Sequence, residues 1–225
     1  MLLGFLSLAL VACTSRSSPE LDVLATLVAG DGVGVPAIPD NPDPRFRYLR
    51  VEVRGNPPGL LVLGYVDQHP LGPIEVWYSA RKEVIKIQNG RIVGTAGLKD
   101  DWPSVRFAQV SAQWEQITVQ GMRFERQRDT MPGYRYGISE QMQVSRTQSM
   151  PSGGLMPSLA PATAQRYQWF RETSTTTNDG LPSLPDAWFA WGKHRGQYDV
   201  VYSEQCLAPD FCLRLQRWPV TEEVR

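Results

Sequence analysis

From Arg47 onward, apolar and polar residues alternate with a period of two, in short runs separated by clusters of Gly, Pro, Asn and Asp. That period places successive side chains on opposite faces of a strand. Tyr48, Leu49, Val51 and Val53 begin the series, and Leu60–Val66 follows after Gly55-Asn-Pro-Pro-Gly59. Ile74–Ser79, Val84–Gln88 and Arg91–Thr95 come next. Asn89-Gly90 separates the last two runs, and this dipeptide favours a type I′ hairpin, whose two central residues need positive φ. Val105–Val110, Gln113–Gln120 and Met122–Arg128 also read as strands, and Tyr134–Gln148 as one bent strand or two. Met150–Pro161 and Thr176–Pro185 read as loops, with Gln165–Thr175 a strand between them. Trp188–Trp191, Tyr198–Gln205 and Phe211–Arg217 complete a set of about eleven to thirteen strands.

Helical spacing occurs once, at Leu21, Leu24, Leu27 and Val28, after the start signal Ser18-Pro19 and before Gly30. Asp31–Pro44 is too rich in Gly, Pro and Asp for regular structure. The pattern therefore predicts an all-β domain over 45–225, an antiparallel barrel-like or two-sheet structure with one short N-terminal helix. Closing a barrel or pairing two sheets removes the exposed edges that so many strands would otherwise leave.

The first residues follow a different pattern. Leu2–Ala12 is apolar, and Leu10-Val11-Ala12-Cys13 has the form of a bacterial lipobox. Residues 1–12 then form a cleaved signal peptide, although no Lys or Arg precedes Arg16. Cys13 becomes the lipidated first residue, bearing acyl chains such as palmitate that hold it to membrane lipid. The apolar run is shorter than the roughly 20 residues needed to span a bilayer. Residues 13–44 form the lipidated N-terminus, the short helix and a linker. Thr14 rather than Asp follows the cysteine, which points to the periplasmic side of the outer membrane.

Composition narrows the functional classes. Lys+Arg and Asp+Glu number 23 each, so the 225-residue chain is neutral, and a dedicated nucleic-acid binder, which carries a basic patch, is not expected. Cys206 and Cys212 remain after Cys13 is assigned to lipid. Outside the cytoplasm they suit a disulfide between two strands. Free thiols and a metal site are the alternatives, and a metal site needs further ligands that His69 and His194 alone would have to supply.

The sequence shows no reaction and no cofactor motif: it contains no P-loop, zinc-protease helix or nucleophile elbow. Both histidines read as exposed loop residues. Asp100, Asp101, Glu75 and Glu172 are the carboxylates that could pair for glycoside cleavage, each with a turn or surface role as the plainer reading. Trp169, Trp188, Trp191 and Tyr198 crowd the C-terminal third. Such rings stack on the C–H faces of sugars in a glycan groove, or they fill a β core.

Several blocks resemble the YjbF/GfcB lipoproteins, the group 4 capsule polysaccharide lipoproteins. Arg45-Phe46-Arg47-Tyr48-Leu49-Arg50-Val51 and Leu60-Leu61-Val62-Leu63-Gly64-Tyr65 form the first block. Glu75-Val76-Trp77-Tyr78-Ser79, with Asn89-Gly90-Arg91-Ile92-Val93-Gly94-Thr95-Ala96-Gly97-Leu98, forms the second and most specific. Trp188, Trp191, Ser203-x-Gln205 and Trp218-Pro219 form the third. The Cys206/Cys212 pair and Tyr198-Asp199-Val200-Val201-Tyr202 depart from the family pattern. The resemblance implies a barrel-like, lipid-anchored envelope protein that assists capsule or exopolysaccharide production or export. It implies no catalytic residues, and its expected partners are exopolysaccharide or envelope export proteins. A polysaccharide-modifying enzyme using a carboxylate pair is the alternative.

Overall fold

A computed structural model describes residues 38–39, 41–108, 113–152, 156–177 and 181–220. Among the described residues there are twelve strands: β1 Tyr48–Val53, β2 Gly59–Asp67, β3 Ile74–Ser79, β4 Val84–Gln88, β5 Arg91–Ala96, β6 Val105–Phe107, β7 Met122–Thr130, β8 Arg135–Thr147, β9 Gln168–Thr176, β10 Ala187–His194, β11 Gln197–Ala208 and β12 Phe211–Trp218. They form one antiparallel sheet, in the order β5-β4-β3-β2-β1-β12-β11-β10-β9-β8-β7-β6. The two ends of that order are consecutive in sequence, so the sheet curls until β5 approaches β6. Between them Thr95 N–H donates to the Trp102 carbonyl at 2.7 Å, and Asp101 pairs with Met131 as a lone bridge. The result is a nearly closed barrel rather than two sheets. The Leu21–Val28 helix lies outside the described residues.

The turn chemistry explains much of the local structure. Asn89 and Gly90 have φ of 47° and 77°, as a two-residue I′ hairpin requires. Gly90 is needed twice over, because a Cβ there would come within 2.4 Å of the Val200 side chain. Two sequence expectations fail locally. Gln113–Gln120 holds no strand: Trp114–Gln116 is a 3-10 turn. Its buried residues, Trp114 and Ile117, lie three apart, the spacing of such a turn rather than of a strand. Gln165–Thr175 starts as a strand only at Gln168, because Pro161–Ala164 forms a four-residue helix, α1, with Pro in its first turn. Tyr134–Gln148 resolves into the single strand β8.

The interior has an apolar half and a half that carries charge. Leu49, Leu61, Trp77, Ile85, Leu213 and Leu215 fill the first. In the second, Arg91 of β5 reaches across to Glu172 of β9, Nε to Oε2 at 2.8 Å, with both side chains 2% exposed. The Arg91 guanidinium lies 4.4, 5.2 and 5.4 Å from the ring centroids of Trp114, Phe124 and Phe189. Below it Glu140 accepts from Arg126 at 2.7 Å and lies 3.1 Å from Arg128 Nε. Burial lowers the pKa of Arg128, against the pull of Glu140. The free edge of β5 is satisfied by a side chain. Gln205 of β11 accepts from Ile92 N–H at 2.9 Å and donates to the Gly90 carbonyl at 3.0 Å.

Charge also organises the end of the barrel at which the chain joins β1. Arg217 contacts Glu75 at 2.7 Å and Asp199 at 2.8 Å, and Arg47 pairs with Glu75. Burial raises the Asp199 pKa and neighbouring Glu75 adds to the rise, against Arg217. His194 closes β10 beside this cluster, half-buried, which corrects its reading as an exposed loop residue. Burial, with Arg217, Arg195 and Arg47, pushes its pKa from 6.5 down to about 4.

Replacing Glu172 by Ala should cost about 3–5 kcal/mol in urea unfolding, because it leaves a buried cation without its anion. The double replacement Arg91→Met with Glu172→Leu should cost less than the single one. A loss under about 1 kcal/mol for Glu172→Ala would show that the pair does not hold the interior. His194 supplies the second prediction. Between pH 6.5 and about 4 the unfolded chain binds a proton at this residue that the folded chain refuses, so its contribution weakens stability as pH falls. Melting temperatures across that window should decline less steeply for His194→Gln than for the parent; parallel curves would count against this account.

Candidate functional site

On the outside of the barrel, strand register lines up one row of side chains across five strands. Arg171 of β9 lies opposite Trp188 of β10, Trp188 opposite Glu204 of β11, Glu204 opposite Arg214 of β12, and Arg214 opposite Glu52 of β1. Neighbours directly across a ladder are close enough to pair, and these do. Arg214 Nε donates to Glu204 Oε1 at 3.0 Å, and its Nη1 lies 3.5 Å from Glu52 Oε1. Burial opposes the Arg214 charge, but Glu204 and Glu52 outweigh it and hold its pKa above the usual guanidinium value. Arg171 lies over the Trp188 ring at 5.9 Å and donates to Asp186 at 2.7 Å.

Four members of this row, Arg171, Trp188, Glu204 and Arg214, line an open groove of about 550 Å³. Pro151, Ser152, Pro185 and Pro209 also line it, and Arg54 and Asp210 add charge. Cys206 and Cys212, directly opposed in the β11–β12 ladder and joined by a disulfide, complete the floor. One step along the strands the outer face is covered instead. Met156, Leu159, Ala164 and Tyr167 pack over Trp169, Ala190 and Tyr202, so the segment that carries α1 ends the groove. Trp188 thus offers a half-buried apolar ring between hydrogen-bonding groups already held in place by ion pairs, the combination that suits a polar ligand with apolar faces.

The sequence-predicted residues separate into distinct places. Trp188, Cys206 and Cys212 share the groove. Trp169 and Trp191 are buried, 4% and 7% exposed, which corrects their candidacy for glycan contact. The Trp169 Nε1–H bonds to the Ala164 carbonyl at 2.9 Å beneath the covering segment, and Trp191 faces the interior beside Phe189 and Val200. Tyr198 is exposed and stacks on Trp191, centroids 4.5 Å apart, at the β10–β11 turn. Cys13 lies outside the described residues.

The candidate carboxylates are not paired with one another. Asp101 accepts from Thr95 Oγ1 at 2.8 Å and Gly97 N–H at 2.9 Å, which fixes the turn after β5. Asp100 lies 3.8 Å from Lys99. Glu75 is held by two arginines and Glu172 by Arg91. Exposed His69 accepts at Nδ1 from Leu71 N–H at 3.2 Å within the β2–β3 turn. The row Arg171, Glu204, Arg214 and Glu52 was not singled out from sequence. Its signal is the outward, period-two position of each residue, which becomes a row only once strand order is known.

Comparisons with known proteins agree with this architecture. A search of curated proteins finds no match. The crystal structure of the hypothetical lipoprotein YmcC from Escherichia coli (K12) superposes with a TM-score of 0.61 at 15% identity, covering 92% of this chain and 99% of that one. That likeness is one of fold. The family model described as group 4 capsule polysaccharide lipoprotein gfcB, YjbF matches residues 37–151, slightly more than half of the chain, and takes in both the first and the second sequence block. The chain belongs to the YjbF/GfcB family of group 4 capsule polysaccharide lipoproteins.

Proposed function

We propose that this lipoprotein assists capsule or exopolysaccharide production or export by holding glycan in the Trp188 groove, with no covalent step of its own. The groove is the observation that carries the reading. The Trp188 ring supplies a face for sugar C–H groups. Arg171, Glu204 and Arg214, already oriented by their partners, supply donors and acceptors for hydroxyl or carboxylate groups without further ordering cost. Arg54 adds an exposed cation to the lining. Cys13 is the proposed site of acylation, and the periplasmic leaflet of the outer membrane the proposed location. An envelope export protein could then receive the glycan from the groove.

The test uses the full chain in detergent and the producing organism's own exopolysaccharide. Retarded migration of the protein without new reducing ends is the expected result. Trp188→Ala should weaken binding at least tenfold, about 1.4 kcal/mol, while leaving the unfolding midpoint close to the parent's. Equal binding by the two proteins would remove the groove from the account. New reducing ends would favour the carboxylate-pair enzyme instead, and a deletion strain with normal secreted and retained polysaccharide would end the capsule role.

A further inference from the structure

The row that carries Trp188 does not stop at β9. Ser145 of β8 lies opposite Arg171, and further outward positions continue along both strands. On β8 these are Ser139, Gln141, Gln143, Ser145 and Thr147, alternating with buried Glu140, Met142 and Val144. On β9 they are Thr173 and Thr175, opposite Gln143 and Gln141. Each of these side chains is an amide or a hydroxyl. Outward positions elsewhere carry charge: Arg50 and Glu52 on β1, Arg123 and Glu125 on β7, Arg214 on β12. Charge is the ordinary means of keeping the outside of a sheet solvated and free of other chains, so its absence from two adjoining strands has another cause. Strand propensity accounts for the threonines but not for Gln141 and Gln143.

Much of the hydrogen-bonding capacity of this face is unused. Gln141 Nε2 donates to Glu125 Oε1 at 2.8 Å, which leaves the amide oxygen of Gln141 to accept. Among the described residues the side chains of Gln143, Ser145 and Thr175 make no hydrogen bond, and Gln141, Gln143 and Thr175 are exposed. Amides and hydroxyls both donate and accept, as the hydroxyls of a sugar do. On the β7 side Arg123 and Glu125 border the face with opposite charges, opposite Gln143 and Gln141. On the groove side Thr173 is the next outward residue after Arg171. From Arg171 to Thr175 the face adds about 13 Å, with neighbouring strands about 4.8 Å apart.

We propose that this face is a second part of the glycan site, over which an uncharged stretch of the same polysaccharide chain lies beyond the Trp188 ring, hydrogen-bonded to Thr173, Gln143, Thr175 and Gln141. The proposal rests on the groove reading and gives it a substrate class: a chain whose sugars next to the stacked residue carry hydroxyls rather than acidic groups. A protein partner is a poorer fit, because such interfaces are built round an apolar centre and this face has none. Each added contact is made by a chain already held, so affinity rises with ligand length.

A ladder of fragments cut from the producing organism's exopolysaccharide tests this by calorimetry on the full chain in detergent. The shortest fragment that binds fills the groove, and Trp188→Ala should abolish its binding. Longer fragments should bind the parent at least about tenfold more tightly than the shortest. Gln143→Met with Thr175→Val keeps the side-chain shapes and removes their hydrogen bonds. This variant should bind the shortest fragment as the parent does, which also shows that it is folded, and should keep no more than about a twofold gain with length. A full gain in the variant, or no gain in the parent, would overturn the second part of the site while leaving the groove. Absence of binding by any fragment, or shortest-fragment binding that Trp188→Ala leaves unchanged, would overturn the groove reading itself.

Discussion

The contact between Arg91 and Glu172 decides how this sheet closes. A twelve-stranded antiparallel sheet can stay open, split or curl, and β5 stands at one end of the strand order. Five of its six residues are buried, which leaves no solvent to satisfy its charge or its free edge. The structure answers with specific partners on the far wall: Glu172 for the guanidinium, Gln205 for the edge, and the Trp114 ring beneath. A buried ion pair returns little net stability over apolar packing of the same volume. What it does here is tie β5, at one end of the strand order, to β9 across the interior, a contact that only the curled sheet allows.

The same curl creates the groove. Residues inside and outside alternate along each strand, so a register that seats Phe189 and Gln205 inward also turns Trp188, Glu204 and Arg214 outward. The covering segment over Trp169 and Tyr202 then converts half of that outer face into core and leaves the other half open. Groove and interior are two readings of one register, and a slip of one residue would exchange them.

Much of the architecture was legible because its causes are local. Asn89-Gly90 specified its hairpin through positive φ, and most strand limits fell within two residues of the alternation that predicted them. The failures have physical reasons. Trp114 and Ile117 have the composition of strand residues, but a 3-10 turn at Trp114–Gln116 buries both at a spacing of three rather than two. In β7 the inward Arg126 and Arg128 break the apolar alternation, so no pattern marks them as interior; Glu140 meets them from the facing strand of the same hairpin, and Trp102 from the segment before β6. The aromatic cluster was divided by parity. Trp188 and Trp191 lie three residues apart on one strand, hence on opposite faces, and only the first is open to a ligand. The charged row of the groove was illegible for a stronger reason. Each member is an ordinary outward strand residue, and its neighbours are set by strand order across five segments of chain.

The disulfide acquires its significance from that row. Cys206 and Cys212 oppose each other two residues beyond Glu204 and Arg214 in the same hairpin. A covalent link at that point adds to the hold that buried Leu213, Leu215 and Gln205 already have on the β11–β12 register. It also constrains the unfolded hairpin more directly than it adds contacts to the folded one. The clip therefore supports recognition as well as stability: it locks the end of the hairpin that keeps Glu204 and Arg214 at the height of Trp188, where the groove needs them.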